Sequence, residues 1–298
     1  MTIPACVPLA DRGVLRVSGA DARPFLQGLI SNDVGRVAVD RAVWAAFLTP
    51  QGKYLHDFFV VEHQGSLLLE GEAARLADLK RRLSIYRLRS QVTLEEAGEF
   101  GVWALFGSGA AAAVGLTGDE SGAASALEGG VVFVDPRLAE VGLRAILHAD
   151  TGAATLAGAG FTQTDRTTYD RLRIGLGLPD GSRDMLVDKS LLLECGFDEL
   201  HGIDWQKGCW LGQELTARTR YRGLVKKRLV PVLTEGVPPA TGTPVLLDGS
   251  EVGETRSAAD GVALAILRLE ALPAIEAADG VDVAGCRLRP RRPAWAAF

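Results

Sequence analysis

Residues 207 to 214 read K-G-C-W-L-G-Q-E, and Leu215, Thr216, Ala217 and Arg218 follow. Two glycines bracket one thiol. Gly208 and Gly212 give access to backbone conformations closed to other residues, and Lys207 beside Cys209 would favour a thiolate. The residues alone leave two readings open: a tuned thiol on a loop, or a turn before an amphipathic helix that carries an incidental buried cysteine.

Downstream of the octet, Arg218, Arg220, Tyr221, Arg222, Lys226, Lys227 and Arg228 form a basic patch with one aromatic. Such a patch suits nucleic acid, a solvated surface, or a rim for an anionic ligand tail. Upstream, Thr168 to Leu176 reads as a helix that Gly175, Gly177 and Pro179 terminate. Further back, Leu76, Leu79 and Leu83 recur at helical spacing, and the basic residues Arg75, Lys80, Arg81 and Arg82 fall off that stripe. Asp21 is the expected N-cap of a helix bearing Phe25, Leu26, Leu29 and Ile30. Between these helices lie β-rich runs at Leu15 to Val17, Trp44 to Leu48, Tyr54 to Val61, Leu67 to Leu69, Val102 to Phe106, Val131 to Val134 and Leu143 to Leu147. Strands interleaved with helices in this manner predict an α+β fold. After Lys227, short runs at Leu229 to Leu233, Pro244 to Leu247, Val262 to Leu267 and Val281 to Leu288 predict a small barrel or sandwich.

The 298 residues are 47% hydrophobic and 23% charged, enough for two or three packed units with a substantial core. No apolar run reaches the roughly 18 to 20 residues of a membrane-spanning helix, and Met1 to Val7 has no basic region ahead of an apolar stretch. A soluble, unexported protein without a membrane partner is expected. Cys6, Cys195, Cys209 and Cys286 form no C-x-x-C pair, which argues against a zinc knuckle or a resident cluster and for reduced thiols in a cytoplasm. A net charge of −5 supplies no global attraction for nucleic acid. Gly107, Gly109 and Ala112 match a dinucleotide loop only in spacing, since no βαβ unit follows.

The octet resembles the signature of the YgfZ proteins, which include mitochondrial iron–sulfur assembly relatives. The resemblance extends to L-T-A-R-T at 215 to 219, R-I-G-L-G-L-P at 173 to 179, F-L-Q-G-L at 25 to 29, and G-V-A-L-A-I-L at 261 to 267 in the closing barrel module. It implies a three-lobed, aminomethyltransferase-like arrangement around a central folate pocket. The implied domains are a discontinuous folate-binding domain of residues 1–48 and 151–228, a second α+β domain of 49–150, and a C-terminal β-barrel of 229–298. It further implies a tetrahydrofolate-binding factor that assembles or maintains [4Fe–4S] clusters in client enzymes, including tRNA-modifying radical enzymes, without classical turnover and without a stable metal of its own. The implied partners are folate and either the client enzymes or the assembly machinery.

The family's pterin-binding carboxylate falls in L-L-L-E-C-G-F at 191 to 197, which nominates Glu194; Cys195 stands where many relatives carry asparagine. A carboxylate can accept two parallel hydrogen bonds from a pterin's 2-amino group and N3–H. Cys209 becomes the functional thiol, and Lys207, Gly208, Arg218, Tyr221 and Arg228 become folate contacts, the basic ones as a rim for a polyglutamate tail. Where aminomethyltransferases carry an acidic pair, L-H-D-F-F-V at 55 to 60 offers only Asp57, with His56 as a further proton-exchanging group. The alternatives are a folate-dependent aminomethyltransferase, which lacks the cysteine of this octet, and an RNA- or protein-docking module.

Overall fold

The computed structural model describes residues 3–118 and 120–298. Met1 and Thr2, the start of the stretch read for a leader, lie outside the described residues. The chain forms two compact units, the first of residues 1–48, 55–166 and 201–211, the second of 49–54, 167–200 and 212–298.

The first unit contains two sheets. One runs in the order Thr162–Gln163, Ala5–Pro8, Phe100–Phe106, Leu143–His148, Gly130–Val134, Ala124–Leu127. Only the pair of Ala5–Pro8 with Thr162–Gln163 is parallel. The other runs Val43–Leu48, Tyr54–His63, Ser66–Glu72, Arg12–Ser18, Thr93–Glu96. The hairpin after Tyr54–His63 turns at Gln64 (φ 50°) and Gly65 (φ 74°), two consecutive positive φ values that match the right-handed twist of the strands. The helix Leu76–Arg87 buries the expected stripe of Leu76, Leu79 and Leu83. Each buried leucine is worth about 1.5–3 kcal/mol, which fixes that face. Asp21 occupies the N-cap position of the helix Ala22–Gln27, but its side chain makes no capping bond; its Oδ2 accepts the Gln91 N–H at 2.7 Å instead. Leu29 and Ile30 lie beyond that helix, buried in the turn that follows.

The second unit contains one antiparallel sheet in the order Pro244–Leu247, Ser250–Ala259, Val262–Arg268, Lys227–Glu235, Cys286–Pro290, Val281–Val283. Its two edge strands approach each other, so the sheet curls into a nearly closed barrel. Val230, Val232, Val245, Ala265, Ile275 and Leu288 are among the residues that fill it. The run Val281 to Leu288 resolves into two strands joined by Ala284 (φ 49°) and Gly285 (φ 82°). The ten-residue strand Ser250–Ala259 has no counterpart in the sequence reading. Val252 is its one large apolar residue, and the ladder to Val262–Arg268 holds it in place. The helix Arg166–Gly175 ends where glycine predicts. Gly177 adopts φ 77°, the Gly177 N–H donates to the Ile174 carbonyl, and the Leu178 N–H donates to the Arg173 carbonyl, both at 2.9 Å. This is the Schellman closure, and it needs a residue free of a Cβ.

Candidate functional site

Residues 201–211 form an irregular loop hydrogen-bonded along its length to residues 28–33. The Asp204 N–H donates to the Ser31 carbonyl at 3.1 Å, and the Leu211 N–H to the Gly28 carbonyl at 3.1 Å. Ser31 Oγ donates to the Gly202 carbonyl at 2.6 Å, and Asn32 Nδ2 to the His201 carbonyl at 2.7 Å. Lys207 Nζ then donates to the carbonyls of Ile30 and Asn32, both at 2.7 Å. Asp204 closes the turn from inside, its Oδ1 accepting the Gln206 and Lys207 N–H groups. The loop so held presents Cys209 to solvent, whereas Cys6, Cys195 and Cys286 are buried. The two glycines of the octet differ. Gly212 takes φ 83° at the entry to the helix Gln213–Tyr221, but Gly208 has no left-handed φ and a Cβ there would meet nothing. Only Gly212 therefore needs glycine for its backbone.

The Lys207 ammonium points at backbone carbonyls. Burial pushes its pKa down to about 8, against the pull of Asp33 and Asp204. A lysine whose folded pKa is lowered stays protonated in the unfolded chain over the window between about 8 and the ordinary 10.5. Stability therefore rises with pH through that window, because the unfolded state binds the extra proton. The neutral amine retains two N–H donors, so both carbonyls stay satisfied. Lys207→Met should flatten this rise. It should also cost about 1–3 kcal/mol by leaving two carbonyls without a donor. Urea titrations of both proteins between pH 7 and 10 check this; parallel pH profiles would show that the ammonium is not buried as described.

Glu194 lies in the short 3-10 turn Leu192–Cys195, which ends at Gly196 (φ 77°). Arg228 fixes this turn from the barrel strand: Nη1 donates to the Leu193 carbonyl at 2.7 Å and to Glu199 Oε2 at 3.0 Å. The Glu194 carboxylate is half-buried and forms no ion pair among the described residues. It lines a cavity of about 140 Å³ with Ser190, Cys195, Lys227, Glu254 and Arg256. Burial raises its pKa, opposed by the charges of Lys227 and Lys53, the Leu191 N–H, and the charge of Arg228.

The cavity's far wall is held by a buried ion network. Arg173, fully buried, donates through Nε to Asp170 at 2.7 Å, through Nη1 to Asp184 at 2.9 Å and the Leu178 carbonyl at 3.1 Å, and through Nη2 to Ser257 Oγ at 3.0 Å. Asp184, itself a lining residue, also accepts the Asp180 and Ser257 N–H groups. The motif R-I-G-L-G-L-P was noticed in the sequence, but its arginine was not singled out. The signal was there, as a charge on the apolar side of a helix.

Arg218 and Tyr221 stand exposed on the helix Gln213–Tyr221, Arg218 paired with Glu214 at 3.1 Å. Arg228 is turned inward, so the basic patch is not one continuous surface.

Asp57 and His56 are both buried on the strand Tyr54–His63. Asp57 Oδ2 accepts Trp44 Nε1–H at 3.1 Å. His56 Nε2 lies 3.0 Å from Asp78 Oδ2, and burial with the Arg75 charge pushes its pKa down to about 4. His56 is neutral at pH 7, which removes the proton exchange expected of it. Near Asp57 the two sheets of the first unit share buried charges. Glu70 binds Arg12 and Arg144, and Arg137 grips Asp135 through Nη2 at 2.7 Å. The Arg137 guanidinium lies 5.4 Å from the Trp44 ring and 4.9 Å from that of Phe59. The sequence reading missed this cluster; its signal was single charges inside apolar strand runs, as in L-L-L-E at 67 to 70.

Among the described residues, no group of three or more His, Cys, Asp and Glu is arranged to hold a metal ion. No helix among them is long and apolar enough to cross a membrane.

The family model for the C-terminal β-barrel domain of CAF17 matches residues 226–298. Over its whole length the chain is similar in fold to the glycine cleavage system aminomethyltransferase T from Bartonella henselae, with a TM-score of 0.77 at 16% identity, covering 99% of this chain and 86% of that one. The fold is thus aminomethyltransferase-like, α+β with a C-terminal barrel. In sequence, the mitochondrial iron–sulfur cluster assembly factor IBA57 of Homo sapiens is 35% identical, covering 94% of this chain and 83% of its own. The protein of the same name from Mus musculus is 34% identical, over 90% of this chain and 78% of its own. The homologue from Coccidioides immitis is 31% identical, over 89% and 72%. These relatives, mitochondrial by name, correct the cytoplasmic placement expected from the cysteines. Scattered reduced thiols report a reducing environment, and that property does not single out one compartment. With more than a third of its residues identical to the human factor across nearly its full length, the chain belongs to the IBA57 family of iron–sulfur cluster assembly factors.

Proposed function

We propose that this protein is a tetrahydrofolate-binding iron–sulfur assembly factor of the YgfZ type. In this reading Cys209 is its working thiol and Glu194 its pterin ligand. Its clients are [4Fe–4S] enzymes, tRNA-modifying radical enzymes among them. The observation that carries this reading is the exposure of Cys209 on a loop whose backbone is hydrogen-bonded on both sides of the thiol, while the other three thiols are buried. A thiol that merely filled space would be inside. The relatives' role in cluster assembly, given by their names, supports the same conclusion.

The residues around Glu194 fit a pterin head group. The carboxylate is half-buried and outside any ion pair among the described residues, so it is available to two parallel donors, and exclusion of water strengthens such bonds. The cavity of about 140 Å³ is smaller than the roughly 300 Å³ at which drug-sized pockets begin, so it would take the head group and leave the rest of the ligand outside. Lys207 and Arg228 hold the loops that carry Cys209 and Glu194. Arg218 and Tyr221, both exposed, remain for an anionic tail.

Glu194→Gln should weaken tetrahydrofolate binding by about 1.5–3 kcal/mol, the range for hydrogen bonds to a charged group. Calorimetry measures it. Because burial raises the Glu194 pKa, wild-type affinity should begin to fall at a higher pH than an ordinary carboxylate would produce, and the glutamine variant should show no such fall. Equal affinities for the two proteins would remove Glu194 from the site.

A further inference from the structure

We propose that the C-terminal end of the helix Leu76–Arg87, with Leu88 and Arg89, is a docking surface for a partner protein that presents carboxylates around an apolar side chain. The inference does not depend on folate binding or on Cys209.

Ile85 is 63% exposed and Leu88 is 89% exposed, well above the other exposed leucines, of which Leu246 at 49% comes next. Leu88 also sits at φ 43° and ψ −111°, a turn conformation that L side chains avoid and glycine takes freely. Structure alone gives no reason for a leucine there. Its side chain buries nothing and its backbone is strained, and an exposed outlier of this kind points to a contact outside the molecule.

The charges around it are one-sided. Lys80, Arg81, Arg82, Arg87 and Arg89 share a single carboxylate on their own helix. That carboxylate, Asp78, is taken by Arg81, Arg82 and His56. Lys80, Arg87 and Arg89 have no ion pair among the described residues. Glu95 and Glu96 lie on Thr93–Glu96, the strand that packs against this helix, and pair with none of the five cations. Asp21, beside Leu88 and Arg89, has its Oδ2 bound to the Gln91 N–H. The chain as a whole carries a net charge of −5, so this is a local cationic surface on an acidic protein. Aliphatic knobs between arginines suit a protein partner, since arginine is enriched at such interfaces. A single-stranded nucleic acid would call for an exposed aromatic platform, and Tyr86 is instead half-buried with its ring edge-on to Phe47 at 6.2 Å. Two aliphatic side chains offer too little apolar area for membrane insertion.

The test places the photo-crosslinking amino acid p-benzoylphenylalanine at position 88 of the full chain in cells of its own organism. The cross-linked protein is identified, and its affinity for the wild-type chain is then measured with purified components. Two variants separate docking from folding. Arg87→Glu with Arg89→Glu should weaken binding at least tenfold. Leu88→Gly should do the same while leaving the melting temperature unchanged or raised, because the turn relaxes. A fall in melting temperature with Leu88→Gly would assign the leucine to the fold and overturn the proposal. Cross-links only to nucleic acid, to phospholipid or to a second copy of this chain would also overturn it, as would no cross-link or equal affinities for wild type and variants.

Discussion

Replacing Cys209 with serine should abolish the protein's capacity to sustain [4Fe–4S] enzymes in a deletion strain while leaving its fold intact. Cys209 is exposed on a loop held by backbone bonds and by Lys207, none of which involves the thiol. A surface substitution of this kind changes stability by no more than about 0.5 kcal/mol. Serine keeps the size, but its hydroxyl does not ionise near neutral pH and is a poor ligand for soft metals, so only thiol-dependent steps are lost. Cys195→Ser should behave in the opposite way. That thiol is buried in the turn carrying Glu194, and a hydroxyl placed there costs about 1–3 kcal/mol unless it finds a partner. The folded protein should nonetheless support client activity. The assays are complementation of a radical tRNA-modifying enzyme and thermal melts of the two variants. Full complementation by Cys209→Ser would make that thiol structural and the proposed centre wrong.

Arg173→Leu should be the most destabilising single change in the second unit, at about 3–5 kcal/mol. Arg173 is fully buried and touches Asp170 and Asp184 directly, so its removal leaves carboxylates in the interior without their counter-charge. The burial that would otherwise depress its basicity is overcome by Asp184, Asp180 and Asp170, which keep the guanidinium charged. Urea unfolding followed by circular dichroism measures the loss. Arg166→Ala is the control, because the pair it forms with Asp11 is solvent-exposed and worth at most about 1 kcal/mol. Because Asp184 lines the Glu194 cavity, the proposed folate site predicts that Arg173→Leu also reduces tetrahydrofolate affinity at temperatures where the protein is folded. A loss below 1 kcal/mol would show that the network relaxes, with water replacing the guanidinium.

The elements read correctly were those with a local cause. The Leu76, Leu79 and Leu83 stripe is a spacing, and spacing survives whatever the helix packs against. The stop after Gly175 is a backbone rule acting within five residues. Ser250–Ala259 escaped because its strand character comes from a neighbour's ladder, and Asp21 escaped because its preferred donor, the Gln91 N–H, is 70 positions away. At the site, the octet nominated Cys209, which the structure places at the surface, but the partner expected for Lys207 was that cysteine two residues on. The partners it meets are two carbonyls on a segment remote in sequence.

The order of residues by itself determined the α+β class and the barrel at the end of the chain, since each depends on periodicity, and it nominated Cys209 and Glu194 through the resemblance of short motifs. Only the tertiary structure decided which charges are buried and what they bind: Arg228 inward on Leu193 and Glu199, Arg173 among its aspartates, His56 neutral against Asp78, Leu88 strained and exposed. Hydrogen bonds and Coulomb interactions act over a few ångströms of space, and desolvation depends on everything that closes around a group. A linear sequence carries neither quantity until the chain has folded.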